Sequence, residues 1–342
     1  MAPSTAVPTH VPTAVDVRAA AERIAGHARR TPVLRARVDG RPLVLKLEHL
    51  QLTGAFKLRG ALNALLAQRA GVWPEENVAT EERGSSGRRG KTPGEAPQGQ
   101  KSIPARVVTA SGGNHGLGVA TAARLLGIEA VVYVPETVPQ AKARRLAASG
   151  AHLVRVGERY AEAAEAALDH AESEGIRYLH AYDDPHVVAG QGTVGHEIAA
   201  DAPDCDAVVV AVGGGGLVAG VRLGVGDRRV VAVEPEGCQS LHAALAAGKP
   251  VTGPVHSVAS SALGASRVGD VPFAVLKAHP VTPTLVTDSE IVQARDRLWE
   301  EFRIAAEPAA AVPFAAWLAG RVPGDNPCLV ICGANADWTP AD

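Results

Sequence analysis

The chain has 342 residues, 46% of them hydrophobic and 20% charged, so it is long enough to bury a large core and to form two lobes. A net charge of -2 and an aromatic content of 4% exclude the basic field and stacking surfaces of a nucleic-acid-binding protein. No apolar run approaches the length of a membrane span, and four cysteines without a CxxC pair or a preceding signal peptide predict free thiols and a cytoplasmic location.

In chain order, residues 1–14 form a Pro/Thr/Ala tail without periodicity, which we expect to be mobile. Beyond the tail, β-branched runs near Val132, His152, Ala207, Val230 and Cys328 alternate with alanine-rich helical patterns. This alternation predicts a doubly wound α/β fold with parallel sheets.

The segment Thr53–Asn63 places Lys57 between Phe56 and a basic turn that ends in glycine. A lysine amine forms a Schiff base only when it is unprotonated, and an apolar flank with Arg59 nearby opposes the ammonium form. Lys57 is therefore the candidate nucleophile. The alternative for this motif alone is a surface lysine that begins a helix.

Residues 82–104 are rich in Gly, Ser, Pro, Arg and Lys and are too long for an ordinary connection. They predict a disordered insertion on the protein surface. A lid or partner-binding loop is the alternative.

Val107–Gly127 reads as a strand, a glycine-rich turn SGGNHG and a helix that ends at Gly127. Backbone N–H groups at the start of that helix predict an anion-binding turn, and a tight turn without a ligand is the alternative. Ala207–Gly224 likewise carries a buried strand into four glycines before a helix. Because dinucleotide and P-loop spacings are absent, this second turn predicts a cradle for one small phosphate.

Together, Lys57 can bind an aldehyde, the four-glycine turn can bind one phosphate and the SGGNHG turn can bind a carboxylate. Pyridoxal phosphate has the aldehyde and the phosphate, and an amino acid bound to it has the carboxylate. From Ala28 to Asp337 the chain resembles the fold-type II pyridoxal-phosphate enzymes, in the serine/threonine dehydratase and serine racemase branch. The matching segments, in order, are LEHLQLTGAFKLRGALN, SGGNHG, GQGTVGHEI, GGGGLVAG and ICGAN.

The resemblance implies that Lys57 is the catalytic Schiff-base lysine and that His115 contributes only its N–H, since Lys57 already supplies the base. The residues that it implies for the cofactor are Phe56, Lys57, Asn114 at the ring hydroxyl, Gly213, Gly214, Gly215, Gly216 and Leu217 at the phosphate, and Cys332 at the pyridine nitrogen. Those that it implies for the substrate carboxylate are Ser111, Gly112, Gly113, Asn114 and His115.

The resemblance also implies two doubly wound parallel-sheet lobes with the cofactor between them. The small substrate-binding lobe is expected at 64–156, and the large cofactor-binding lobe at 15–63 and 157–342. A homodimer is expected as well.

Two departures from the family pattern bear on the reaction. Serine racemases place a second serine at position 112, where Gly112 has no hydroxyl to reprotonate the opposite face of the substrate. Cys332 cannot form an ion pair with a protonated pyridine, so a long-lived carbanion is less favoured. Both departures favour β-elimination, that is, dehydration and then deamination of L-serine, L-threonine or both to pyruvate or 2-oxobutanoate plus ammonia.

Three alternatives stay open at the level of the sequence. They are a racemase of serine or a related hydroxy amino acid, a specialised β-eliminating or β-replacing enzyme of secondary metabolism, and a cofactor-binding protein without catalysis. The lysine and the phosphate loop are both intact, which disfavours the last.

The segment VEPEGCQS supplies Glu234 at a strand end and Ser240 six residues later, and it resembles the potassium site of serine dehydratases. One carboxylate with a hydroxyl and backbone carbonyls suits a monovalent ion better than a divalent one. The alternative is that Glu234 only hydrogen-bonds the glycine loop.

Overall fold

The computed structural model describes residues 10–71 and 106–336, which form two sheets packed with helices. The strands are β1 (Val33–Val38), β2 (Arg41–Lys46), β3 (Arg106–Ala110), β4 (Glu129–Val134), β5 (Ala151–Arg155), β6 (Arg177–Tyr178), β7 (Ala207–Ala211), β8 (Arg229–Pro235), β9 (Thr282–Val286) and β10 (Cys328–Val330). The helices are α1 (Ala14–Ile24), α2 (Lys57–Arg69), α3 (Asn114–Leu126), α4 (Gln140–Ala148), α5 (Tyr160–Glu174), α6 (Pro185–Asp201), α7 (Gly216–Gly224), α8 (Ser240–Ala247), α9 (Ser260–Leu263), α10 (Asp270–Ala278), α11 (Asp288–Phe302) and α12 (Pro308–Leu318). Within this part of the chain, no helix combines the length and apolar composition needed to cross a bilayer.

The larger sheet has six strands in the order β1-β2-β10-β7-β8-β9. Its strands pair in parallel except for β1 and β2, which form an antiparallel hairpin that the sequence analysis did not predict. Asp39 and Gly40 turn the hairpin with φ of 51° and 76°. Left-handed backbone at both positions matches the two-residue turn whose twist suits adjacent strands.

The smaller sheet has four parallel strands in the order β5-β4-β3-β6. β6 pairs with β3 through Arg177 opposite Val107 and Tyr178 opposite Val108. The predicted end of the small lobe at 156 is therefore wrong, because this sheet continues to Tyr178 through the crossover helix α5.

Two large apolar cores lie against these sheets. β7 is buried along its whole length, as expected for a strand covered on both faces of a parallel sheet. Leu58, Leu62 and Leu65 of α2 belong to the core of the smaller sheet, while α2 also packs against α6. The predicted lobe boundary at 63 thus falls inside a helix that joins the two lobes, and Lys57 begins that helix.

The predicted N-terminal tail ends earlier than expected. Val11 packs against the core of the larger sheet, and the Thr13 hydroxyl accepts a hydrogen bond from Val15 N (3.2 Å) as the N-cap of α1. The expectation of mobility is therefore wrong for the end of the 1–14 segment. Residues 1–9 and the predicted insertion 82–104 lie outside the described residues.

Candidate active site

A cleft of ≈ 560 Å³ lies where the carboxyl ends of strands from both sheets meet. Crevices at such strand ends are where doubly wound folds bind ligands. The predicted cofactor and substrate residues all line it: Phe56, Lys57, Ser111, Gly112, Gly113, Asn114, His115, Gly213, Gly214, Gly215, Gly216, Leu217 and Cys332. The fold therefore brings three motifs that are distant in sequence to one cavity.

Lys57 is the first residue of α2, and its side chain is half-buried in the wall of this cleft. Its Nζ donates a hydrogen bond to Ala181 O (2.8 Å) and lies 5.2 Å from the centroid of the Phe56 ring. Burial lowers the pKa of Lys57 to about 8, and the neighbouring Cys332 opposes this shift. The amine is thus much more often neutral at physiological pH than an exposed lysine.

Arg59 does not supply the like-charge repulsion that the sequence predicted. Its guanidinium is buried and forms ion pairs with Glu48 (Nε–Oε2, 2.8 Å) and Glu197 (Nη1–Oε1, 2.7 Å). Because two carboxylates compensate Arg59, that part of the prediction is wrong. Desolvation alone lowers the pKa of Lys57.

The substrate-loop motif turns from β3 into α3 over Ser111–Gly113. The Ser111 hydroxyl accepts a hydrogen bond from Gly113 N (3.2 Å), and Asn114 begins the helix. The first N–H groups of a helix have no intrahelical partner, so this turn can bind a carboxylate.

The His115 side chain hydrogen-bonds the main chain and is not placed as an acid or base of the cleft. Its Nε2 lies 3.0 Å from Leu179 O, which can only accept, so Nε2 carries the proton. Burial lowers the pKa of His115 to about 3, so the ring stays neutral.

The four glycines that lead from β7 into α7 are closely packed, and two of them, Gly214 and Gly216, lie against Tyr182, a residue that the sequence analysis did not single out. A Cβ added at Gly214 would lie 2.3 Å from Tyr182 Cγ, and Gly215 adopts a φ of 90°. Gly214 O also accepts a hydrogen bond from Gly269 N (3.1 Å). The main chain is thus held open at the N-terminus of α7, where a phosphate is favoured.

Cys332 follows β10 on another side of the cleft. Its carbonyl accepts a hydrogen bond from Phe56 N (3.2 Å), and Ala55 forms an antiparallel bridge with Gly333. These contacts tie the lysine segment to the end of β10. Burial raises the pKa of the Cys332 thiol, so the side chain is neutral.

Glu307 and Asn335 are polar residues near Asn114 to which the sequence analysis gave no role. Asn114 Nδ2 donates to Glu307 Oε1 (2.8 Å), and Asn335 Nδ2 donates to Asn114 Oδ1 (2.8 Å). Burial raises the pKa of Glu307 to about 7. In sequence, an acid before Pro308 indicates only a helix start, so nothing there marked Glu307 as part of the cleft.

The predicted cation ligands lie behind the glycine loop and are not among the residues that line the cleft. Ser240 Oγ donates to Gly213 O (2.5 Å) and lies 3.3 Å from Glu234 Oε1. The Glu234 carboxylate accepts hydrogen bonds from Leu241 N and His242 N (2.8 Å each) at the start of α8. Burial raises the pKa of Glu234 to about 7.

The cleft fits pyridoxal phosphate on the chemistry of its own residues. A half-buried amine of lowered pKa suits an aldehyde. The glycine loop at the N-terminus of α7, which is packed too closely against its neighbours to accept a Cβ, suits one phosphate. The neutral Cys332 thiol can hydrogen-bond an unprotonated ring nitrogen.

Comparisons with known proteins agree with this fit. A family model described as pyridoxal-phosphate dependent enzyme matches residues 24–333. The chain is 34% identical to an L-threonine ammonia-lyase of Geobacter sulfurreducens over 332 residues, 94% of this chain and 75% of that protein. It is 30% identical to a catabolic L-threonine dehydratase of Staphylococcus aureus over 344 residues, 96% of this chain and 91% of that protein.

Two solved structures are similar in fold. A threonine deaminase from T.th. has a TM-score of 0.81 and 33% identity, covering 96% of this chain and 100% of that chain. Maize serine racemase has a TM-score of 0.82 and 28% identity, covering 96% and 95%. The predicted fold class and family resemblance are confirmed, and the chain belongs to the pyridoxal-phosphate dependent enzyme family.

Proposed function

We propose that this enzyme is an ammonia-lyase that removes water and then ammonia from L-threonine, L-serine or both. The observation that carries the proposal is the Lys57 amine, which lies in the cleft with a lowered pKa beside an anion-binding turn and a glycine cradle. Relatives called L-threonine ammonia-lyase and L-threonine dehydratase support this reaction class. The products are 2-oxobutanoate from threonine and pyruvate from serine.

Pyridoxal phosphate supplies an aldehyde that captures amines and an electron sink that lets a Cα proton leave. Lys57 holds the cofactor and accepts that proton. With a pKa of about 8, about one Lys57 amine in ten is neutral at pH 7, compared with fewer than about one in a thousand at an ordinary lysine pKa. The Ser111–His115 turn binds the substrate carboxylate, and the loop from Gly213 to Leu217 holds the phosphate.

The test is to incubate the purified protein with a panel of β-substituted amino acids and to measure both 2-oxo acid and enantiomer composition. Lys57→Ala should form no 2-oxo acid and should lose the visible imine band that borohydride also abolishes. Lys277→Ala is the control: it removes an exposed lysine of α10 and should leave 2-oxo acid formation and the imine band unchanged. A fully active Lys57→Ala protein would overturn the proposal.

Racemisation is the second candidate, because the fold is similar to maize serine racemase. Gly112 argues against it, since a glycine offers no group to return a proton to the opposite face of the substrate. A specialised β-eliminating or β-replacing enzyme would show itself in the same panel by preferring another β-substituent.

Three finer points extend the proposal. L-serine is a substrate in place of L-threonine or beside it, the enzyme is a homodimer, and it acts in the cytoplasm, where its buried free cysteines stay reduced. Sedimentation velocity tests the dimer, and the substrate panel tests serine.

Potassium is the proposed cation at Glu234 and Ser240. The Ser240 hydroxyl contacts both Glu234 and the carbonyl of Gly213, so a bound ion would stabilise the base of the glycine loop. Activity should rise with potassium and survive EDTA. Loss on chelation with rescue by magnesium would reverse the assignment to a divalent ion.

A further inference from the structure

The side-chain amide of Asn114 is held from both ends. Its Nδ2 donates to Glu307 Oε1, and its Oδ1 accepts from Asn335 Nδ2, each at 2.8 Å. Asn335 Nδ2 is itself anchored, because it also donates to Thr53 O (2.7 Å). Asn114 therefore cannot rotate its amide without breaking both contacts.

The charge on Glu307 fixes which way this amide faces. An ionised carboxylate only accepts hydrogen bonds, so the atom opposite it must be the NH₂ group of Asn114. That NH₂ group has two hydrogens, of which Glu307 takes one. The other remains to be donated to an oxygen in the cleft.

Glu307 is built into this position by its surroundings. It is the N-cap residue of α12, yet its side chain makes no capping hydrogen bond to that helix. A Cβ at Gly333 would lie 2.2 Å from Glu307 Oε1, and one at Gly54 would lie 2.8 Å from Asn335 Oδ1. Two glycines thus leave the room that the Glu307 and Asn335 side chains occupy.

We propose that Glu307 is a positioning residue that acts through Asn114, holding the amide so that Asn114 can only donate a hydrogen bond into the cleft. The inference rests on the proposed function, in which that bond goes to the ring hydroxyl oxygen of pyridoxal phosphate. Donation to this oxygen fixes the ring in the cleft.

Burial raises the pKa of Glu307 to about 7, and hydrogen bonds from Asn114 and from the backbone N–H of Asn335, together with Lys142 of α4, oppose that shift. Glu307 is therefore mostly ionised in mildly alkaline solution, above that pKa. Cys332 also faces Glu307 and is neutral. A test at pH 8.5 therefore examines the charged form.

The experiment measures equilibrium binding of pyridoxal phosphate to cofactor-free protein at pH 8.5, followed by the imine absorption band. Glu307→Gln keeps the shape of the side chain but replaces a charged acceptor with a neutral amide that can donate as well as accept, so the orientation of Asn114 then depends on Asn335 alone. We expect the Kd to rise about five- to tenfold, the effect of losing one oriented hydrogen bond. Glu165→Gln removes an exposed carboxylate of α5 and should leave the Kd unchanged.

Asn114→Ala decides whether Glu307 acts through Asn114. The double variant Glu307→Gln/Asn114→Ala should bind no more weakly than Asn114→Ala alone, because the amide that Glu307 orients is gone. An unchanged Kd in Glu307→Gln, or effects that add in the double variant, would overturn the inference. Wild-type protein that binds no pyridoxal phosphate would overturn the proposed function instead.

Asn335→Ala keeps the inference testable if Glu307→Gln does not fold. It removes the hydrogen bond to Asn114 Oδ1, so it should raise the Kd for pyridoxal phosphate as Glu307→Gln does. In the Asn114→Ala background it should leave the Kd unchanged. Thermal unfolding of each cofactor-free variant separates these outcomes from misfolding. Additive effects here would also contradict the inference.

Discussion

A methyl group at position 214 should displace the aromatic ring that packs on the glycine loop. The Cβ of Gly214→Ala would lie 2.3, 2.3 and 2.4 Å from Cδ1, Cγ and Cδ2 of Tyr182. Carbon atoms in contact are ordinarily about 3.5–4.0 Å apart, so the ring or the loop must move by more than about 1 Å.

The half-buried Tyr182 ring borders the cleft, and His180 limits its movement on one side. It packs edge-on against His180 with centroids 4.6 Å apart, and His180 Nδ1 accepts hydrogen bonds from Tyr182 N (3.3 Å) and Asp183 N (2.8 Å). Overpacking of this kind costs about 1–3 kcal/mol. Because the free protein can relax its loop and the bound form cannot, we expect cofactor affinity to fall about 5- to 150-fold.

Equilibrium titration with pyridoxal phosphate measures this loss. The double variant Gly214→Ala/Tyr182→Ala removes the collision and should bind more tightly than Gly214→Ala alone. Gly253→Ala is the control, since the nearest atom to its Cβ is 4.0 Å away. Unchanged affinity in Gly214→Ala, or a double variant weaker than the single one, would refute the packing argument.

Three further outcomes follow from the cleft. The rate of imine formation by cofactor-free protein should increase with pH and be half-maximal near pH 8, because the Lys57 amine, with its lowered pKa of about 8, is mostly neutral above that value. A half-maximal rate at the pH expected for an exposed lysine would contradict the burial argument. Gly112→Ser should increase D-serine formation from L-serine, measured by chiral chromatography, because it adds a hydroxyl that can return a proton to the opposite face of the substrate. The new Cβ would lie 3.2 Å from Val138 Cγ2, so the side chain fits after a small shift. No increase would mean that position 112 does not face the substrate. Cys332→Ser should stay active because both side chains are neutral hydrogen-bond partners, whereas Cys332→Asp should slow turnover and accumulate a coloured intermediate. Equal turnover in all three forms would place Cys332 away from the ring nitrogen.

The strand-turn-helix motifs could be predicted because their signals are local. An apolar run, a glycine turn and an alanine-rich helix specify β3 with α3 and β7 with α7, and Gly127 ends α3 with a φ of 69° as expected for a C-terminal glycine. β6 could not be predicted in this way, because two residues carry no periodicity and their pairing with β3 is a tertiary contact. The predicted end of the small lobe at residue 156 was wrong for the same reason.

The three motifs predicted much of the cleft lining, but Glu307, which also lines the cleft, and Asn335 reach Asn114 only through contacts between distant segments. Glu307 reaches Asn114 across 193 residues, and Asn335 reaches it across 221. No sequence pattern reports such neighbours.

Arg59 is a different kind of error, since helix geometry alone would have corrected it. Residues two apart on a helix point to nearly opposite sides, so Arg59 and Lys57 of α2 do not face each other. Arg59 instead turns toward Glu48 and Glu197, and its charge is compensated there. The pKa of Lys57 is lowered by removal of water from its amine, and this cause predicts a different response to mutation. Exchanging Arg59 for a neutral residue should destabilise the fold, because the buried Glu48 carboxylate loses its ion pair with Arg59 and Glu197 is left with its ion pair to Lys46. It should not restore an ordinary pKa to Lys57.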